Sequence, residues 1–256
     1  IVERGWLLRE DCHHMHQQKI KSFLAHFVLD HISIEYLRVS YNLTVEQLKL
    51  LQFIYHFTEK HKEGLSLNAI IFYRNYSKNH LLKLINQLYD FNWLTKKRDP
   101  LDQRRLIICL SAVQHEKIAL MFEDFKSFLE LKSKSIAYIN QHTALPYYLN
   151  CHDQFESIEK VPSQDQLSLE ELYILGLLII NNEPSTYKNI KAHLLKGVVT
   201  VSPIIKKLYA KGYINKSRST EDERNIVLSV NEEKVDYIKS TISECYNSLE
   251  TGIERL

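Results

Sequence analysis

Glycine and proline are scarce in this 256-residue chain, at 6 and 5 residues, beside 15 Tyr and 10 Phe. So little turn-forming material argues against a sandwich, a barrel or a doubly wound sheet and for a largely helical protein. The four cysteines, Cys12, Cys109, Cys151 and Cys245, form no CxxC pair. That argues against a disulfide framework or a structural zinc site and fits a reducing cytosol. No window approaches 18 consecutive apolar residues, and the first residues are not a basic segment leading into an apolar run. The expected location is therefore cytoplasmic, away from membranes. Enzyme signatures are missing as well: there is no phosphate-binding glycine loop, no HExxH and no GxSxG. The acids Glu221, Asp222 and Glu223 fall in a charged turn, where no cleft able to raise a carboxylate pKa is expected. Neither catalysis nor a cofactor is expected.

What the chain does have is charge in blocks. Residues 43–110 hold 11 Lys/Arg against 6 Asp/Glu, and residues 167–230 hold 9 against 6. The stretch between them holds 5 against 8, and residues 231–256 hold 3 against 6. Two basic blocks in a chain of net charge +2 fit two surfaces that face a polyanion.

The same blocks are a repeat. LTKKRDPLDQRRLIICL (94–110) matches INKSRSTEDERNIVLSV (214–230) at an offset of 120, pairing Lys96 with Lys216, Arg98 with Arg218, Asp102 with Asp222 and Arg104 with Arg224. Upstream, Leu88-Tyr89 meets Leu208-Tyr209, and at an offset of 124 LTVEQL (43–48) meets LSLEEL (167–172). One unit thus occurs twice. Thr44 and Ser168 precede segments of helical apolar spacing with acids in the first turn, as at capped helices. Second short helices start near Ser66 and Ser185. Third helices run from about Ser77 to Phe91 and from about Thr200, where Pro203 falls in a first turn that has no N–H bond to lose. Trp93–Lys96 and Tyr213–Lys216 then read as strands, each returning through a polar turn to an alternating strand, Leu106–Leu110 and Ile226–Val230.

Three helices followed by a two-stranded hairpin is the order of a winged helix. The fold class read from the sequence is mainly α with small β-hairpins, as tandem winged helix-turn-helix domains. Apolar stripes in 17–38, 112–139 and 231–250 predict flanking helices that join the two into a pseudo-dimer. The domains expected are an N-terminal extension over 1–16, with Met15 a candidate start, a first domain over 17–140, a partly helical linker over 141–166 and a second domain over 167–256.

On the third helices, Lys78, Asn79, His80, Lys83 and Gln87, and Thr200, Ser202, Lys206 and Lys207, lie off the apolar stripe. Such side chains supply phosphate contacts and base-edge hydrogen bonds in a major groove. In the turns and their strands, Lys96, Lys97, Arg98, Arg104 and Arg105, and Lys216, Arg218 and Arg224, suit the narrow, A·T-rich minor groove. Asp102 and Asp222 are expected to organise the arginines beside them. The bland reading of each group is a solvated, self-paired surface; the repetition at one place in one element order weighs against it. Cys12, His13, His14 and His16 crowd together without a distant fourth ligand, so no metal is expected there. The partner expected is double-stranded DNA, with a nucleoid-like architectural protein or a protein-interaction module as alternatives.

The two turn sequences, with KxRxxxDxR present twice, resemble the wing of the staphylococcal accessory regulator family, a branch related to MarR-type winged helix regulators. The likeness spans roughly residues 17–250, and the duplicated length is similar to the two-domain members. It implies a transcription factor, activator or repressor, that binds A·T-rich promoters and controls virulence-associated genes. It also implies wing roles for Arg98, Asp102 and Arg104 and for Arg218, Asp222 and Arg224. The first copy departs from the common DER form, with Gln103 where the second has Glu223. Cys12 precedes the 17–38 helix, so a sensing cysteine inside that helix is missing.

Overall fold

The computed structural model describes residues 2–61, 63–134, 144–160, 167–181, 185–193, 200–219 and 226–253. Its elements in order are α1 (Val2–Tyr41), α2 (Val45–Lys60), β1 (Leu65–Ser66), α3 (Leu67–Arg74), α4 (Lys78–Asp90), β2 (Thr95–Arg98), β3 (Leu106–Cys109) and α5 (Ala112–Lys132). There follow α6 (Ala144–Glu159), α7 (Leu169–Asn181), β4 (Ser185–Thr186), α8 (Tyr187–His193), α9 (Val201–Ala210), β5 (Ile214–Arg218), β6 (Ile226–Val230), a 3-10 turn (Glu232–Lys234) and α10 (Val235–Ile253). The fold is mainly helical with small antiparallel hairpins, and the order α-β-α-α-β-β occurs twice. The chain divides into two compact units, Ile34–Leu129, and Ile1–Ser33 with Glu130–Leu256.

In the unit Ile34–Leu129, Thr44 and Gln47 form a capping box. The Gln47 N–H donates to Thr44 Oγ1 (3.2 Å) and the Thr44 N–H to Gln47 Oε1 (2.9 Å). The apolar face of α2 (Leu48, Leu51, Ile54) and that of α4 (Leu81, Ile85, Leu88) are buried together with Leu65, Ile70, Leu94 and Ile108. Ser77 caps α4 by accepting from the His80 N–H (3.4 Å). That helix ends where Asn92 turns left-handed (φ 56°) and the Trp93 N–H donates back to Leu88 O (2.8 Å). Trp93 and Leu94, expected as strand, are instead buried in this exit, and the strand begins at Thr95.

The two-stranded hairpin expected from the sequence is a three-stranded sheet of order β1-β3-β2. Leu65 pairs with Ile108, and Lys96 faces the same residue from the other side. Two residues are too short to show a period, so β1 was not visible in the sequence. Its entry requires Gly64 at φ +89°, where a Cβ would stand 2.7 Å from the Ile108 carbonyl oxygen.

In the other unit the sheet order β4-β6-β5 repeats this arrangement, with Ser185 opposite Leu228. Its core combines Ile20, Phe23 and Phe27 of α1 with Leu172 and Leu175 of α7, Ile205 and Leu208 of α9, and Ile238 and Ile242 of α10. The predicted linker is, over 144–159, a helix that buries Tyr147, Tyr148, Cys151 and Phe155. Residues 141–143 and 161–166 lie outside the described ones.

His26 sits in this core. Its Nδ1–H donates to Ser22 O (2.6 Å), which leaves Nε2 to accept from the Tyr147 hydroxyl (2.5 Å). Burial pushes its pKa below 6.5, against the raising effect of the Ser22 bond. The unfolded chain then binds the proton more tightly, so the stability due to this group is present at neutral pH and is lost as pH falls below about 6.5. Urea midpoints should decline from pH 7 to pH 5, with a shallower decline in His26→Phe. An equal slope in that variant would remove His26 as the cause.

Candidate nucleic-acid interface

The exposed side of α4 follows from its buried stripe: with Leu81, Leu84, Ile85 and Leu88 inward, Lys78, Asn79, His80 and Lys83 point to solvent. Beside this face lies a cleft of about 520 Å³. It is lined by Ser66, Leu67 and Asn68 at the start of α3, Lys78 and Leu82 of α4, and Arg98, Arg104, Arg105 and Leu106 of the hairpin. Four cations from two separate elements thus meet around one opening. A larger hollow of about 750 Å³ sets Glu116 and Asp124 beside Lys117 among Trp93, Leu120 and Met121, so it lacks the one-signed charge a polyanion needs.

The hairpin tip is internally braced. Its ends are closed by the Asp99 N–H donating to Arg105 O (3.1 Å) and the Arg105 N–H donating to Asp102 O (2.8 Å). Asp102 Oδ1 accepts from the Arg104 N–H (3.0 Å), and Oδ2 lies 3.4 Å from Arg105 Nε. The carboxylate therefore holds Arg104 through the backbone and Arg105 through the guanidinium, a division that residue spacing does not reveal. This exposed pair contributes little stability; its effect is on the direction of the tip.

Two of the α4 residues are engaged elsewhere. His80 Nε2 lies 2.8 Å from Glu46 Oε1, and Gln87 is half-buried, accepting from Gln47 Nε2 (3.0 Å). Lys96 turns away from the cleft: its Nζ sits 4.0 Å above the Tyr89 ring and donates to Asn86 Oδ1 (2.8 Å). Lys97 and Arg98 are exposed at the end of β2.

In the second repeat Thr200, Ser202, Lys206 and Lys207 are exposed on and before α9, and Lys207 Nζ lies 3.2 Å from Glu171 Oε1. Lys216 Nζ lies 4.2 Å above Tyr209, repeating the Lys96–Tyr89 stack. Arg218 is exposed at the end of β5; Asp222 and Arg224 lie outside the described residues, as do residues 220–225 as a whole. Cys12, His13 and His14 have no described side chains. Among the described residues no group of three His, Cys, Asp or Glu could hold a metal ion, and no helix is long and apolar enough to cross a membrane.

A family model described as transcriptional regulator SarA/Rot matches this chain over residues 33–121 and again over 156–241. The chain belongs to that family of transcriptional regulators. Its family role is regulatory and not enzymatic. It is 26% identical over 216 residues to the HTH-type transcriptional regulator SarU of Staphylococcus aureus, covering 81% of this chain and 85% of SarU. It is 31% identical over 70 residues to SarZ of Staphylococcus haemolyticus, covering 27% of this chain and 47% of SarZ. Among solved structures, a mutant of Lactococcus lactis ZitR aligns at a TM-score of 0.31 with 23% identity, over 54% of this chain and 81% of that one. A mutant of MepR from a multidrug-resistant S. aureus isolate aligns at 0.29 with 19% identity, over 60% and 96%.

Both family matches contain the contacts that the sequence reading missed: Gln47 and Glu171, which reach from the capping boxes to the third helices, and Tyr89 and Tyr209, which hold wing lysines. The signal was present in the repeat. Tyr89/Tyr209 and Lys96/Lys216 recur at one offset, but a repeated pair reveals a contact only once the hairpin is known to fold back over the helix C-terminus.

Proposed function

We propose that this chain is a sequence-preferring, double-stranded DNA-binding transcriptional regulator that acts in the cytoplasm by occupying A·T-rich promoters, virulence-associated ones among them. The observation that carries this reading is the meeting of Lys78, Arg98, Arg104 and Arg105 around one cleft beside the exposed face of α4. A helix with lysines and an asparagine outward suits a major groove, and arginines on a braced hairpin tip suit the more negative minor groove of A·T tracts. The repeated element order supports one chain working as the counterpart of a dimer, with one molecule per target duplex.

Footprinting on candidate promoters at near-physiological salt tests it, with affinity for unrelated duplex measured in parallel. A specific site bound at least 10³-fold more tightly than random duplex supports a regulator, whereas a uniform, steeply salt-dependent affinity supports an architectural protein. Asp102→Ala provides a separate check. Loss of one negative charge alone would strengthen binding, but loss of the brace on Arg104 and Arg105 should weaken it several-fold, as read by titration of one duplex with both proteins. Tighter binding by the variant would reject the bracing role.

A further inference from the structure

The two repeats present different chemistry at equivalent positions. In the first, Gln47 of the α2 capping box meets Gln87 of α4, a neutral pair. In the second, the corresponding residues are Glu171 and Lys207, an ion pair. Glu171 is 1% exposed, accepts from the Ser168 N–H (2.8 Å) and also pairs with Lys211 Nζ (3.2 Å). Burial raises its carboxyl pKa, but the Ser168 bond and the two ammonium groups outweigh this and hold it below the ordinary carboxylate value. A buried carboxylate with two lysines cannot give both up cheaply, because it would remain charged and unpaired.

The sequence aligned with α4 differs in the same direction. α4 is 13 residues long and α9 is 10, starting from a Thr200 whose side chain makes no capping bond. At the offset of 120, Lys78 and Asn79 correspond to Val198 and Val199, and Lys83 corresponds to Pro203. The residues best suited to base edges and phosphates in the first repeat are apolar or donor-free in the second.

We propose that the two repeats engage DNA unequally: α4 meets base edges and phosphates through Lys78, Asn79 and Lys83, while Glu171 holds Lys207 and Lys211 away from the phosphates, so the preferred target is an asymmetric duplex and not a palindrome. This inference rests on the DNA-binding reading above. It makes Glu171 a positioning residue whose effect is to subtract charge from one half of the interface.

Two measurements on the full chain test it. Base-by-base substitution across a footprinted site should show one half in which changes weaken binding tenfold or more and another in which they weaken it less than about threefold. Asn79→Ala should flatten the sensitive half alone. In salt titrations, Lys83→Gln should lower the slope of log K against log salt by about 0.9, Lys207→Gln should leave it unchanged, and Glu171→Gln should raise it by about 0.9 per lysine released. Lys207→Gln keeps the Lys211 pair, and Glu171→Gln/Lys207→Gln recreates the Gln47–Gln87 arrangement, so both variants retain a partner for residue 171; thermal melts verify folding. Equal sensitivity of both half-sites, or a slope that falls as much in Lys207→Gln as in Lys83→Gln, overturns this inference and leaves DNA binding standing. Failure to bind any duplex overturns both.

Discussion

Arg98→Ala/Arg104→Ala should bind its target duplex about 60-fold more weakly at 0.1 M salt, if each arginine neutralises one phosphate and releases about 0.9 of a counterion. The two guanidinium groups share a cleft with Lys78, so their loss removes half of its four cations. The slope of log K against log salt should fall by about 1.8 in the double variant. The two single variants should separate. Arg98 stands at the strand end opposite Leu106, and its loss should weaken many sequences alike. Arg104 is carried on the tip that Asp102 braces, and its loss should weaken A·T-tract duplexes more than G·C-rich ones. Titration of matched duplexes at two salt concentrations reads both quantities. An unchanged affinity in a folded double variant would remove the wing from the interface and favour the protein-interaction module.

Gly64→Ala should destabilise the Ile34–Leu129 unit by about 3 kcal/mol or more, combining a left-handed backbone that costs a side chain about 1–2 kcal/mol with a steric clash. The added Cβ would lie 2.7 Å from the Ile108 carbonyl oxygen and 2.8 Å from Ile107 Cγ2, both in the central strand β3. Backbone cannot step aside there without parting β1 from β3. Gly212→Ala is the internal control: it has a similar φ of +73° but no atom within 4 Å of the added Cβ, so it should cost only the backbone part, about 1 kcal/mol. Urea unfolding followed by circular dichroism would separate them. Equal losses would show that the close approach at Gly64 relaxes freely. Because β3 is hydrogen-bonded to β2, the Gly64 variant should also lose DNA affinity with little change in salt slope, since it displaces the arginines without removing their charge.

The sequence by itself determined the order of the three helices and the hairpin that follows them, twice over. The 3.6-residue stripe of Leu81, Leu84, Ile85 and Leu88, the alternation of Leu106 and Ile108, and the offset of 120 between two charged turns are local or repeated patterns, and such patterns survive without any tertiary information. They located the third helices within a residue or two and singled out the cations around the cleft. What only the tertiary structure decided is which polar groups are spent on one another. His80 and Glu46 are 34 positions apart, Gln47 and Gln87 are 40 apart, and Glu171 and Lys207 are 36 apart. A lone lysine or glutamine off the apolar stripe looks the same in a sequence whether it faces solvent or an acid on another helix. The strands β1 and β4 were hidden for a related reason: at two residues each they have no period, and they exist only because β3 and β6 have an edge to offer. Hydrophobic periodicity is written along the chain, whereas pairing between polar side chains depends on distances that only packing sets.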